Sequence, residues 1–390
     1  MRRVTVNQSK VAIFASAALL AIAAPATAIT IPTNSWVKQP TPSHATLPGF
    51  PGTFEARGWN HMLYDSVGQR MVLYDGYLDA TRPYSIYANA LWTYDLNANR
   101  LSLESVSNWV RQNGATVPLP ANTTTPTPYD RHSYSGIAIV PYKNRLYMWG
   151  GANNSIPTNY LGDTWCYDFG TRLWREIPWV DPHPYTAFEQ GMVWDSAARK
   201  LVLYAGAPSG YKDGDRAFTF DPATEQWSDR SAVTQPSVRM SESMVYDPVR
   251  RVSWVFGGGT YGVAGNELWK FDATNGAWQQ VTPSGAIPPA RRFGALAYDS
   301  RNDVILLWGG IVDDVTQLND TWIFKPAIQQ WQQLVPAASP PSSGWNSEDL
   351  AYDPVNNAFI LHQNGEFWLY RYATSGDVTP PATIRDAVTR

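Results

Sequence analysis

The groups in this 390-residue chain that could do chemistry are few and scattered. Its five histidines, His44, His61, His132, His183 and His362, stand far apart, with none of the close spacings that bind zinc, and Cys166 is the sole cysteine. Asp213 and Asp215 flank Gly214, and Asp313 precedes Asp314, but neither run has the length or ligand spacing of a dedicated calcium loop. No Gly-x-Ser-x-Gly elbow or nucleotide fingerprint occurs. The glycine-rich FGGGTYG at 256–262 lacks the helix and lysine that a phosphate loop requires. Any site must therefore be assembled by the fold from distant segments.

The ends of the chain set its context. Residues 1–28 carry a basic front (Arg2, Arg3, Lys10), an apolar stretch from Val11 to Ala24, and the small-residue ending Ala26-Thr27-Ala28, which is the layout of a secretory signal peptide. Its removal takes away three positive charges and no negative ones, moving the formal net charge from -3 to -6. Nucleic acid is then excluded as an expected partner, because phosphate binding needs a basic surface. No later stretch is apolar for long enough to form a membrane helix, so the mature chain is expected to be secreted or periplasmic, monomeric, and not inserted in a membrane. With a single cysteine no internal disulfide can form, and the hydrophobic core must hold the fold alone.

One pattern recurs six times. An aromatic-Asp pair leads through a polar turn and an apolar run to an aromatic-Gly: Tyr64-Asp65 to Tyr74-Asp75-Gly76, Trp194-Asp195 to Tyr204-Ala205-Gly206, Tyr246-Asp247 to Phe256-Gly257-Gly258, and Tyr298-Asp299 to Trp308-Gly309-Gly310. The same register places Val140 before Trp149-Gly150-Gly151 and Asp353 before His362. Measured at the second aromatic, the units are spaced by 75, 55, 52, 52 and 54 residues. Between them run an aromatic segment (LWTYD, TWCYD, AFTFD, LWKFD, TWIFK, FWLYR) and a short piece centred on Trp174, Trp227, Trp278 or Trp331. Each unit reads as four short strands, a to d, with turn residues at the breaks.

A period near fifty, four strands, Gly-Gly after strand b and Trp in strand d resemble the Kelch repeat, in a secreted, bacterial-type form. The resemblance covers nearly all of the mature chain and implies an all-β, six-bladed β-propeller over residues 29–373. The sixth unit ends at strand c, EFWLYRY, and NSWVKQ near the N-terminus matches the missing piece, so Trp36 is expected to supply strand d of the last blade and close the ring. The alternative is a disordered leader that contains Trp. Residues 374–390, with DVTPPATIRDAVTR, resemble the linker and first strand of a fibronectin type III module; a flexible tail is the other reading.

Antiparallel alternation puts the brief a-b and c-d turns on one face and the b-c and d-a connections on the other. The latter include residues 75–88, 152–162, 178–187 and an insertion over 105–130, and long loops on a rigid scaffold are where binding usually lives. Aromatic residues crowd them: Tyr77, Tyr84, Tyr87, Tyr160, Trp179, Tyr185, Tyr211, Tyr261 and Trp345. In many Kelch proteins the entrances of strand a line a ligand-binding mouth. Carried over by register, that resemblance selects His61, His132, Glu189, Gln190, Glu242, Arg291, Arg292, Glu348 and Asp349, to which Tyr84, Trp179 and Tyr211 add stacking surfaces.

His61 and Asp349 share a register in blades that become neighbours on closure, and could transfer a proton or simply tie first blade to last. Arg291 and Arg292, opposite Glu189 and Glu242, could hold a carboxylated sugar or bridge blades. The leading expectation is a binding module for a glycan or an extracellular protein, without cofactor or metal. The competing one is a carbohydrate-active enzyme, similar to the sialic acid mutarotases, which use a glutamate and an arginine, or to the copper enzyme galactose oxidase, which uses two tyrosines, two histidines and a Tyr-Cys crosslink. Cys166 falls in the register of Thr93, Thr219, Lys270, Ile323 and Leu369, a position that takes any residue and reads as filler.

Overall fold

The computed structural model describes residues 29–47, 52–56, 61–79, 86–107, 109–112, 115–118, 126–129, 131–152, 161–184, 187–204, 207–208, 216–260, 263–313, 315–342 and 349–373. Six sheets, each built on four antiparallel strands, stand around an axis as the blades of a propeller, and a short parallel strand, Ser43–Ala45 or Ser284–Gly285, is added to the edge of blades 1 and 5. Their innermost strands, a, are His61–Asp65, Ile137–Val140, Gly191–Asp195, Ser243–Asp247, Ala295–Asp299 and Asp349–Asp353. Each lies against the strand a of the blades on either side, so the six form a closed ring.

Strand alternation sends side chains to both faces of each blade. Both faces are covered, which is why strands b read as runs of buried residues such as Val304–Trp308. The apolar core accordingly divides into six clusters, each filling the wedge between two neighbouring blades.

Turn chemistry fixes the a-b hairpins. Asp65, Asp195, Asp247, Asp299 and Asp353 each accept two backbone N–H bonds through one carboxylate oxygen from residues two and three positions on, at 2.8–3.2 Å. Blade 2 lacks the Asp and substitutes a short 3-10 turn, Pro141–Lys143, ending at Asn144 in the left-handed region.

Trp36–Lys38 is the outer strand of blade 6. Trp36 pairs with Tyr370 in the register in which Trp174 meets Tyr167, Trp227 meets Phe220, Trp278 meets Phe271 and Trp331 meets Phe324. The segment clasps the ring as expected. Blade 1 has Leu101 at this position, opposite Tyr94.

Two expected loops are instead partly strand. In blade 1, strand b runs to Asp79 and strand c starts at Ile86, so residues 75–79 and 86–90 continue the b-c pairing as a two-stranded ribbon with Thr53–Glu55 on its edge. The 105–130 insertion carries a hairpin, Trp109–Gln112 with Ala115–Pro118, joined to that ribbon where Tyr87 meets Arg111. Backbone amides projecting beyond the blade need partners, and pairing with one another supplies them. Among the described residues there is no α-helix, and no helix is long and apolar enough to cross a membrane.

Candidate functional site

In blades 2 to 5 the chain approaches strand a through a left-handed residue. Tyr134, Glu189, Ser241 and Phe293 have φ of 48°, 57°, 57° and 58°. The kink aims backbone groups at the next blade: Ser241 N–H donates to Glu189 O and Phe293 N–H to Ser241 O, both at 2.9 Å, and Met192 N–H donates to Ser135 O at 2.9 Å. These bonds stitch neighbouring blades around a small axial cavity.

His61, Tyr134, Ser135, Glu189, Gln190, Ser241, Glu242, Phe293 and Gly294 line that cavity, whose volume is about 30 Å3. All but His61 immediately precede a strand a, and His61 is the first residue of one, so the cavity lies at the face of the long connections. Two glycines make its polar wall possible. A Cβ at Gly136 would meet Gln190 Nε2 at 2.1 Å, and one at Gly191 would lie 3.3 Å from Glu242 Oε1. With hydrogen there instead, Gln190 Nε2 donates to Trp149 O at 2.9 Å and Gly191 N–H donates to Glu242 Oε1 at 3.1 Å.

What remains is acceptor-rich. Glu242 Oε2 and Gln190 Oε1 are buried without a hydrogen-bond partner. Burial pushes the Glu242 carboxyl up to about 8, with Glu189 adding to the rise and Arg239 and the Gly191 amide opposing it. Burial also raises the Glu189 carboxyl, against the Ser241 hydroxyl bonded to it and the charge of Arg292. A carboxyl in low dielectric holds its proton unless a cation arrives to replace it.

Of the expected residues, the structure thus brings His61, Glu189, Gln190 and Glu242 to one cavity. Asp349 stands behind it, with Oδ1 3.6 Å from His61 Nδ1 and Oδ2 3.4 Å from His362 Nδ1, while Asp75 Oδ2 lies 3.8 Å from the same His362 nitrogen. The His61–Asp349 pair therefore belongs to a buried seam between the last and first blades. His362 and Asp75 are outside the set of expected site residues, although His362 stands where the other units carry their second aromatic.

Arg291 corrects the expectation. Its guanidinium is buried inside its own blade, donating to Gly309 O at 2.7 Å and to both carboxylate oxygens of Asp320 at 2.7 and 2.8 Å, and it neither faces the mouth nor bridges blades by its side chain. Arg131 repeats the arrangement with Gly150 O and Asp163, and Arg239 with Gly257 O and Glu267. Arg292 is buried beside Phe293, near enough to Glu189 to favour its ionised form. His132 also misses the cavity. Blade 2 has three residues between the bridge at His132 and Gly136, which faces Trp149, where blades 4 and 5 have two between the bridges at Met240 and Arg292 and the corresponding Ser243 and Ala295, so Tyr134 and Ser135 take the lining positions. Tyr134, Ser135, Ser241, Phe293 and Gly294 are the lining residues that sequence reading overlooked.

Trp179 lies on the d-a connection after blade 2, 54% exposed, one ring face stacked on His183 at 3.7 Å and its Nε1–H directed to Asp181 Oδ1 at 3.3 Å. Tyr84, Tyr211 and Glu348 lie outside the described residues, as do Tyr160, Tyr185, Tyr261 and Trp345. Cys166 is buried in strand c opposite Tyr147, its thiol raised by burial. Among the described residues no three His, Cys, Asp or Glu side chains are grouped to hold a metal, so a copper centre does not fit the groups around Cys166.

A protein-family model described as the KLHDC2/KLHL20/DRC7 Kelch-repeats domain matches residues 136–347, more than half of the chain. The chain belongs to the Kelch-repeat family, and a Kelch propeller suggests a protein-interaction module. It is 26% identical over 211 residues to the leucine-zipper-like transcriptional regulator 1 homolog of Drosophila melanogaster, covering 51% of this chain and 20% of that protein. It is 23% identical over 277 residues to the human Kelch domain-containing protein 10, covering 65% of this chain and 62% of that one. The bovine Kelch domain-containing protein 2 is 25% identical over 226 residues, 51% of this chain and 54% of its own length. The chain spans between 20% and 66% of the length of the curated relatives it matches.

Proposed function

We propose that this chain is an exported interaction module that holds an extracellular protein, or a glycan, against the face of the long connections, with the axial cavity at its centre. One observation carries the reading: at that face, and on the propeller axis, buried Glu242 and Gln190 each keep one oxygen unbonded beside a cavity. An unmet acceptor costs free energy, on the order of 1–3 kcal/mol, that a donor-bearing ligand would recover. The opposite face consists of short turns in which one oxygen of each Asp carboxylate is already occupied by backbone amides.

Trp179, an exposed indole pinned on His183 with Asp181 at its edge, leaves one ring side open for a sugar to stack on and supports the glycan alternative. Turnover is a weaker reading. A carboxyl held protonated near neutral pH suits a general acid, but small-molecule sites occupy roughly 300–1,000 Å3, far more than the roughly 30 Å3 here.

Screening the mature chain against a glycan array and a panel of purified extracellular proteins identifies the ligand class. Substituting Trp179→Ala or Glu242→Gln is expected to weaken the bound ligand about tenfold, while Val249→Ser and Val355→Ser on the opposite turns leave it unchanged. The reverse pattern would put the site on the wrong face.

A further inference from the structure

We propose that the axial cavity receives one primary ammonium group, the end of a lysine side chain presented by a partner protein. The inference rests on the face assigned to binding above.

Size comes first. A cavity of about 30 Å3 has room for roughly one water-sized group. An ammonium head is of that size and rides on a slender four-carbon stem, whereas a guanidinium is a broad planar fork. A pyranose ring does not enter, and the amine of an amino sugar sits too close to its ring to reach in alone. A protein side chain is thus favoured over a glycan.

The lining matches the donor count. Gln190 is 1% exposed; its Nε2 donates to Trp149 O, and its Oε1 is buried without a partner and offers the cavity an acceptor. Glu242 is 5% exposed, with Oε1 committed to the Gly191 amide and Oε2 unpartnered. Among the described residues, the Glu189 carboxyl, which accepts the Ser241 hydroxyl, adds a third side-chain acceptor to those of Gln190 and Glu242. An ammonium has three donors and no acceptor. The rings of Tyr134 and Phe293, also in the lining, suit the apolar stem and the charge above it.

Binding is coupled to a proton. Burial keeps Glu242 protonated up to about pH 8. Among the described residues, the charged and titratable groups around it are Glu189, Arg239, Arg292 beside Glu189, and His61 in the same lining. When the ammonium arrives, the Glu242 O–H bond breaks, its electron pair stays on the carboxylate, and the proton leaves to solvent. Affinity therefore rises with pH toward about 8 and levels off beyond it.

The test is calorimetric titration of the mature chain with N-acetyl-Gly-Lys-Gly-amide in two buffers of different ionisation enthalpy. Binding at millimolar affinity or better, with close to one proton released at about pH 7, is expected, and E242Q should weaken it at least about tenfold and abolish the proton release. Equal binding by the norleucine or Nε-acetyl-lysine peptide overturns the proposal, as does no binding of the lysine peptide at about 10 mM. Tighter binding by glucosamine overturns the protein occupant. The comparison of lysine with norleucine on the unsubstituted chain decides the matter even if E242Q folds poorly. A ligand from the array that is lost in W179A but undiminished in E242Q overturns the lysine pocket and leaves the face assignment standing.

Discussion

The indole Nε1 of Trp36 donates to Thr321 Oγ1 at 3.0 Å, as Trp227 does to Thr164 Oγ1 at 3.0 Å, and each indole meets a strand b tryptophan, Trp308 or Trp149, edge-on at 6.2 Å. A residue from the N-terminal segment thus occupies the place that blades 2 to 5 fill from within their own repeats. Closure of the ring depends on it.

Replacing Trp36 with Ala should cost about 3–5 kcal/mol, because a fully buried indole leaves a cavity at the wedge between blades 5 and 6. Urea unfolding of the variant should show a lower midpoint. An unchanged midpoint would mean that the clasp contributes nothing to closure.

Arg291 and Asp320 form a bidentate pair with the guanidinium wholly buried. Burial works against the Asp320 carboxylate, but the bonds and charge of Arg291 more than offset it, leaving its pKa below the usual range. Arg291→Ala should destabilise the chain by about 3–5 kcal/mol at neutral pH. A depressed folded pKa contributes stability that is full above the unfolded value and is lost as pH falls through the folded one. The gap between wild type and variant should therefore shrink below about pH 4; a gap constant down to the acid transition would contradict the pairing.

Glu242 has the opposite sign. With its folded pKa raised to about 8, the native chain holds this proton more tightly than the unfolded chain, so the contribution is full below the ordinary carboxylate range and disappears as pH rises toward 8. Glu242→Gln keeps an acceptor for the Gly191 amide and removes the charge. Wild type and variant should match near pH 5, and at pH 8 the variant should be more stable by an amount on the order of 3–4 kcal/mol. Denaturant midpoints at the two pH values check this, and a variant less stable at pH 8 would refute the buried-carboxyl account.

Cys166 is buried and its thiol is raised by that burial, so it should resist a disulfide reagent in the native chain and react once the chain is unfolded. An intact mass two hydrogens below the sequence value would instead reveal a crosslink to Tyr147, its cross-strand partner.

The architecture was readable because it repeats. A fixed nine-residue step from Asp to the second aromatic set the a-b register in every unit but blade 2, and the absence of a sixth internal Trp strand pointed to Trp36. The site was readable only in part. Register located Glu189, Gln190 and Glu242, but could not tell which of two adjacent arginines turns inward, and Arg291 folds back on the Asp before its own strand c. One added residue in blade 2 displaced His132 from the lining, and such slips have no signature in composition. Tyr134, Ser241 and Phe293 line the cavity because of a left-handed backbone that none of their residue types advertises.

The central claim is that the axial cavity beside Glu242 is where a ligand enters. Amide chemical-shift mapping of the mature chain titrated with N-acetyl-Gly-Lys-Gly-amide tests it most directly. The account predicts the largest shifts at Gly191, whose N–H donates to Glu242 Oε1, and at Ser241 and Phe293 around the mouth. Shifts centred on the turns at Val67, Val249 and Val355, with Gly191 unmoved at saturation, would contradict it.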